Sequence, residues 1–218
     1  EYYTILIRDI LTNKLVTEKI EDTSGSIVFS LDDKYIFYSK LDKFHRPRKI
    51  LRHKIGTSVK NDELIFEEKS EAFTVGIGLS SDEKYFFITS SDHNTSEQYY
   101  FKVEEENPKP KMIKERKKGI IYSVNSWNNN FYMHTNENAE DFKIDVCRDL
   151  LNQKWESYIP AKNEILIGGL TFLNNWILRA EISNALAKIF AKNVKTNIEE
   201  EIIFTEEKVI NPSVSLIQ

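Results

Sequence analysis

Sulfur is nearly missing from this chain. Cys147 is its single cysteine. No intramolecular disulfide and no cysteine-based metal cluster can form, and a reducing, cytoplasmic setting is the expectation. Long hydrophobic runs are missing too. The longest nearly apolar stretch, Ile165 to Leu173, is interrupted by Gly168, Gly169 and Thr171, and it is too short to span a bilayer. No excess of positive charge exists: 30 Lys plus Arg face 34 Asp plus Glu, a formal net charge of −4. That balance excludes a basic nucleic-acid binder driven by phosphate neutralisation. The opening Glu-Tyr-Tyr-Thr carries no initiator Met and no basic or apolar leader pattern. A start at Glu1 suggests a piece of something longer, or a processed chain. Glycine and proline are sparse, at seven and five, which excludes collagen-like and low-complexity chains.

Aromatic residues are abundant by contrast. Ten Tyr, thirteen Phe and three Trp bring them to 12%, within 40% apolar and 29% charged residues over 218 positions. That is a globular balance with enough apolar mass for a core. The apolar segments are short and alternate, as in Tyr2-Thr4-Leu6, Ile27-Phe29, Tyr35-Phe37, Phe86-Ile88 and Phe142-Ile144. Period-two patterning broken by Asp- and Asn-rich turns predicts strands joined by tight hairpins.

The turns recur. Ser30-Leu31-Asp32-Asp33-Lys34-Tyr35 matches Ser80-Ser81-Asp82-Glu83-Lys84-Tyr85 at Ser, Asp, Lys and Tyr. Looser copies are Ser126-Trp127-Asn128-Asn129-Asn130-Phe131 and Leu173-Asn174-Asn175-Trp176. The equivalent aromatics Tyr35, Tyr85, Phe131 and Trp176 are 50, 46 and 45 residues apart (85 − 35, 131 − 85, 176 − 131). Several short strands repeating at that period predict the blades of an all-β propeller, each a four-stranded antiparallel sheet. Four units fit, at about 23–70, 71–118, 119–162 and 163–208. Residues 1–22 read as the outer strands of a preceding unit, and 209–218 as the start of a following one. One segment competes. Asn184 to Lys192 has helix-forming residues, but the repeat register places it on a strand.

Two stretches carry more than the general fold. One is Arg52-His53-Lys54-Ile55-Gly56-Thr57, leading to Leu64-Ile65-Phe66-Glu67-Glu68. The other is Thr135-Asn136-Glu137-Asn138-Ala139-Glu140-Asp141-Phe142-Lys143-Ile144. Both resemble the propeller domain of the prolyl oligopeptidase family, most closely its oligopeptidase B (protease II) branch. Ser96-Glu97 and the stretch Tyr38 to Arg48 fit the same pattern. Ser70 stands where the branch usually has Asp, and Asp141 where it often has Asn. The resemblance implies a fragment of a seven-bladed propeller that caps an α/β-hydrolase domain bearing a Ser, Asp and His triad. It implies access limited to short peptides and cleavage after Arg or Lys. The catalytic domain itself is not in these residues.

The chemistry-bearing residues support that division. A hydrolase nucleophile needs Gly-x-Ser-x-Gly at a strand-to-helix elbow. The nearest string, Gly78-Leu79-Ser80-Ser81-Asp82, has Asp in place of the second Gly and repeats the Ser30 hairpin turn. No nucleophile is therefore assigned. His45, His53, His93 and His134 have no zinc-like spacing. His53, which matches a strand-end His of the family, is expected to be structural, and His93 to face solvent. Cys147 is expected to be a buried, inert thiol. Gly76-x-Gly78 lacks the third Gly and the helix of a dinucleotide loop. The sequon Asn94-Thr95-Ser96 is expected to stay unmodified. The basic run Lys109 to Lys118 follows Glu104-Glu105-Glu106 and reads as a solvated strand and loop. Arg46 and Arg48 form a second basic group that could meet the catalytic domain.

The expectation is thus a non-catalytic propeller with no catalytic residue, cofactor or metal of its own. Its partners would be its own hydrolase domain and short peptides, with no nucleic acid and no membrane. A stand-alone peptide- or protein-binding propeller, or the propeller of a catalytically dead homologue, are the alternatives. Incomplete blades at both ends would leave apolar faces uncovered, so the isolated fragment is expected to self-associate.

Overall fold

A computed structural model describes residues 1–16 and 19–203; the strand start expected over 209–218 lies outside the described residues. The chain divides into two compact units, Glu1–Gly119 and Ile120–Gln218. Among the described residues, every regular element is a β-strand except one 3₁₀ turn, Val59–Asn61.

Unit one holds two sheets. The first contains β1 (Tyr3–Ile5), β2 (Ile20–Phe29), β3 (Tyr35–Leu41), β4 (Pro47–Lys54) and β5 (Glu63–Glu67), in that spatial order. The second contains β6 (Thr74–Leu79), β7 (Tyr85–Ser91), β8 (Ser96–Lys102) and β9 (Lys111–Lys114). Unit two repeats the plan. One sheet has β10 (Tyr122–Trp127), β11 (Asn130–Thr135), β12 (Lys143–Cys147) and β13 (Glu156–Ile159). The other has β14 (Ile165–Leu173), β15 (Trp176–Ser183), β16 (Leu186–Asn193) and β17 (Glu199–Glu201). Each strand pairs antiparallel with its neighbour in sequence, the up-and-down topology of a propeller blade.

Residues 1–22 join the first sheet. Tyr3 pairs with Thr23 and Ile5 with Ile20, while Arg8 bridges Leu15. Strand β2 then continues across position 22 and pairs with β3 from Thr23 to Phe29, with an irregularity between Thr23 and Ile27. Gly25, whose φ is +82°, lies in that irregularity. A Cβ there would lie 2.9 Å from the Tyr3 ring, so only glycine lets the strand bend beneath that ring.

The repeated turns are chemically alike. The Ser30 hydroxyl donates to Asp32 Oδ1 at 2.7 Å and accepts from the Tyr35 amide at 2.9 Å. The Ser80 hydroxyl donates to Asp82 Oδ1 at 2.8 Å and accepts from the Tyr85 amide at 3.0 Å. Asp33 and Glu83 take φ values of 55° and 56° in the two turns. The Asn-rich copies are tighter: Asn128 and Asn129, at 51° and 60°, join Trp127 directly to Asn130. That is the two-residue hairpin geometry that asparagine tolerates. Asn184 and Ala185, at 50° and 59°, make the same kind of turn between Ser183 and Leu186. Two successive positive φ values break any helix, which settles 184–192 as turn and strand.

Inner strands are apolar on both faces. On β3, Phe37 packs with Phe86 and Phe101 of the second sheet, at ring-centroid distances of 4.7 and 5.7 Å. Its neighbours Ile36 and Tyr38 join Ile5 and Ile20 on the other side. In unit two, Tyr132, Ile144, Ile167, Phe172 and Ile177 form one cluster, with Trp127 stacked on Phe172 at 5.3 Å. Outer strands are short and charged, down to Glu-Glu-Glu in β17. Charge on the last strand discourages pairing with another chain.

The Asn184-Ala185 turn generates a stability prediction. Ala185 pays for a left-handed backbone with a Cβ, which glycine does not. Ala185→Gly is expected to raise stability by about 0.5–1 kcal/mol, read as a higher urea midpoint. A lower midpoint would contradict the turn geometry.

Candidate functional site

The residues that could do chemistry are mostly committed to the fold. Ser80 is buried in its turn by the bonds described above, and its segment passes into β7 with no helix. His53 is fully buried, its Nδ1 2.6 Å from Asp62 Oδ1, and the Tyr38 hydroxyl donates to Asp62 Oδ2 at 2.8 Å. A His–Asp pair resembles part of a triad, but its third partner here is a phenol whose own proton loss is opposed by burial and by Asp62. His45 lies exposed at a φ of 63° and bonds the Tyr2 hydroxyl. His93 is exposed in the turn after β7. His134 Nε2 meets the Ile167 carbonyl at 2.7 Å, and burial lowers its pKa. Burial pushes the Cys147 thiol up to about 11, so it stays protonated at neutral pH. No His, Cys, Asp or Glu cluster that could hold a metal ion occurs among the described residues.

The basic groups are less solvated than their sequence suggests. Arg46 donates to the Glu71 carbonyl. Arg48 donates to the Glu68 carbonyl through Nε at 2.8 Å and Nη2 at 2.5 Å. Arg116, in the run read as a solvated strand and loop, departs from that reading. Its Nη2 lies 2.6 Å from Glu68 Oε2 and 3.0 Å from Glu97 Oε1, and its guanidinium covers the Phe73 ring at 4.0 Å. The cause is the pair of buried carboxylates, 4% and 3% exposed, which need a counter-charge. Glu68 also accepts from Ser90 Oγ and the Ser70 amide. Glu97 also accepts from the Tyr99 hydroxyl and the Arg116 amide. The network therefore links β5's exit to β8 across the two sheets of unit one. Burial opposes the charge on Glu68, but the Ser90, Ser70 and Arg116 donors outweigh it and hold the carboxyl below the usual range.

Unit two has a counterpart. The buried Arg179 donates to Glu181 at 2.8 Å and to both oxygens of Glu199 at 2.7 and 3.0 Å. Lys162 reaches the same Glu181 oxygen at 2.6 Å. Here the Arg179 hydrogen bonds lower the Glu199 pKa. In both networks the acids are paired with cationic donors, which suits them to hold strands together.

The open chemistry of unit one lies elsewhere. A cavity of about 700 Å³ sits at the end of the sheets that carries the β2–β3 and β8–β9 turns. Its lining includes the half-buried Tyr35, the almost fully buried Phe86 and Phe101, and the acidic residues Asp32, Glu63 and Glu104. Arg52, 7% exposed, closes one side by bonding Glu63 and donating to the Glu106 carbonyl at 2.7 Å. No sequence signal marks this cavity, because its walls come from separate blades.

Comparison with known proteins supports the propeller reading. A family model described as "Prolyl oligopeptidase, N-terminal beta-propeller domain" matches residues 1–216. Protease 2 of Moraxella lacunata is 32% identical over 181 residues, covering 77% of this chain and 26% of that protein. Dipeptidyl aminopeptidase BI of Pseudoxanthomonas mexicana is 22% identical over 217 residues, covering 98% and 30%. The solved oligopeptidase B of Leishmania major matches with a TM-score of 0.86 at 20% identity, over 95% of this chain and 31% of that one. The chain thus spans between about a quarter and a third of these relatives. No helix among the described residues is long and apolar enough to cross a membrane, which says nothing of a membrane β-barrel.

The Glu68 network predicts an acid-sensitive contribution to stability. Its folded pKa is depressed, so the stabilisation is complete above the unfolded carboxyl value of about 4.3 and fades as pH falls through the folded value. Glu68→Gln is expected to cost about 1.5–3 kcal/mol near pH 7, the range for hydrogen bonds to a charged group. The urea midpoints of the two proteins should converge as pH drops below 4. Parallel curves would exclude this role.

Proposed function

Because the chain belongs to the prolyl oligopeptidase family through its N-terminal β-propeller domain, we propose that it is the access-controlling part of a cytoplasmic serine peptidase. That peptidase hydrolyses short peptides after Arg or Lys. The nucleophilic serine, its histidine base and the oxyanion hole belong to an α/β-hydrolase domain of the full-length polypeptide, the domain against which this propeller packs. Acyl transfer proceeds there, through a serine ester that water then hydrolyses. The propeller contributes size selection: a peptide that fits its passage reaches the serine and a folded protein does not.

The observation that carries this reading is the 32% identity to Protease 2 along most of the chain. The Arg52-His53 and Thr135-Asn136 strings point to the same branch. The saturated acids and the turn-bound Ser80 support a non-catalytic role for these residues.

The full-length polypeptide is expected to cleave fluorogenic dipeptide substrates ending in Arg or Lys at least ten times faster than one ending in Pro. It should leave a folded protein intact. Hydrolysis after Pro, or none at all, would refute the specificity. The isolated chain leaves Ile10 and Leu11 92% and 93% exposed, and we propose that it self-associates. Sedimentation should show mass rising with concentration, and a constant monomer mass would refute this.

A further inference from the structure

Strand β14 is the first strand of its sheet in unit two, so one of its edges has no partner within that sheet. At Ile167 this edge is satisfied from the preceding sheet. The Ile167 amide donates to the Asp141 carbonyl at 2.8 Å, and the Ile167 carbonyl accepts from His134 Nε2 at 2.7 Å. Ile167 is fully buried, and the pairing of β14 with β15 turns irregular just beyond it, between Ile167 and Leu170. One of the two contacts is backbone and cannot titrate. The other is an imidazole. In unit one a first strand is held in a similar way by a group that does not titrate near neutral pH: Ser39 Oγ on β3 donates to the Val75 carbonyl of β6 at 3.2 Å. The fold therefore does not need a histidine for such a contact.

The surroundings of the ring leave little to hold a second proton. His134 lies on β11 opposite Ser123 and Ile144, and its imidazole stacks on Phe142 with centroids 4.6 Å apart and planes 17° from parallel. A carbonyl only accepts, so Nε2 carries a proton, and burial beside an apolar ring favours the neutral form. Strands β10, β11 and β14 carry no other titratable group near neutral pH and no charged side chain. On β12, Lys143 and Asp145 flank Ile144 and pair with each other at 2.9 Å. The turn 136–142 brings Glu137, Glu140 and Asp141, but no carboxylate among the described residues bonds the ring. Burial lowers the proton affinity of His134, and the Ile167 carbonyl opposes it only in part.

We propose that His134 is an acid-sensitive clasp: the neutral ring fastens the β14 edge to the preceding sheet, and mild acid releases that edge. Once the edge opens, water reaches the ring and solvates its charge. The folded proton affinity is depressed, so the clasp contributes fully above the unfolded histidine value of about 6.5 and fades as pH falls through the folded value. Carboxylates titrate lower, near 4, which separates this effect from that of the Glu68 network. The clasp acts within unit two and does not rest on the peptidase reading.

The test is hydrogen exchange of the full-length polypeptide, read by mass spectrometry at about pH 7 and about pH 5.5 and corrected for intrinsic exchange rates. Peptides covering β14 are compared with peptides covering β6, whose contact is the Ser39 hydroxyl. In the wild type, β14 protection is expected to fall about three-fold or more relative to β6, within the ten-fold per pH unit that one proton taken up on opening allows. His134→Gln places an amide donor near the position of Nε2 and does not titrate, so its β14-to-β6 ratio should stay constant with pH. Two results would overturn the proposal: β14 and β6 responding alike in the wild type, or the glutamine variant losing β14 protection in acid as the wild type does. If the variant does not fold, the wild-type comparison of β14 with β6 decides.

Discussion

The structure depends on a sheet that is apolar on both faces. Ile36 and Tyr38 turn one way from β3, and Phe37 turns the other, all 3% exposed or less. A lone antiparallel sheet would wet one face and alternate apolar with polar. Here each large side chain loses about 1.5–3 kcal/mol of burial if its neighbour is absent. Repetition follows from that demand, since a second sheet of the same kind is what covers the first. So do the charged outer strands, which are the one place where pairing must stop.

Polar groups divide along the same line. Where two sheets of a unit close over a carboxylate, the chain surrounds it with donors, as at Glu68 and Glu97. A buried acid with only one donor would cost more than its ion pair returns. At the turns, carboxylates stay partly in water and are held by local donors, as Asp32 is by Ser30 and Glu105 by the Lys102 amide. Burial, not residue type, separates the two groups.

Local features were readable in the sequence. The Ser-Asp-Lys-Tyr turns announced their register because each is closed by its own side chains within six residues. The 184–192 segment was ambiguous to propensity, and it resolved as strand because Asn184-Ala185 forms a turn that pairs β15 with β16. Arg116 was misjudged because its partners lie 48 and 19 residues away. In a linear reading, six basic residues among ten look solvated, and nothing marks the one that two buried carboxylates attract. The cavity escaped for the same reason. Its acidic turn and its Tyr35 and Arg52 wall meet only when separate sheets are assembled.

The strict pairing of each strand with the one before it has a consequence during synthesis. Contacts are short in sequence, so a sheet can close as soon as its last strand leaves the ribosome. At roughly 5–20 residues per second, the next sheet follows some 2–10 seconds later. Through that interval Phe37 has no Phe86 or Phe101 to meet. The nascent chain thus presents the uncovered aromatic face of its first sheet until the second arrives, and it is there that a chaperone would find something to hold.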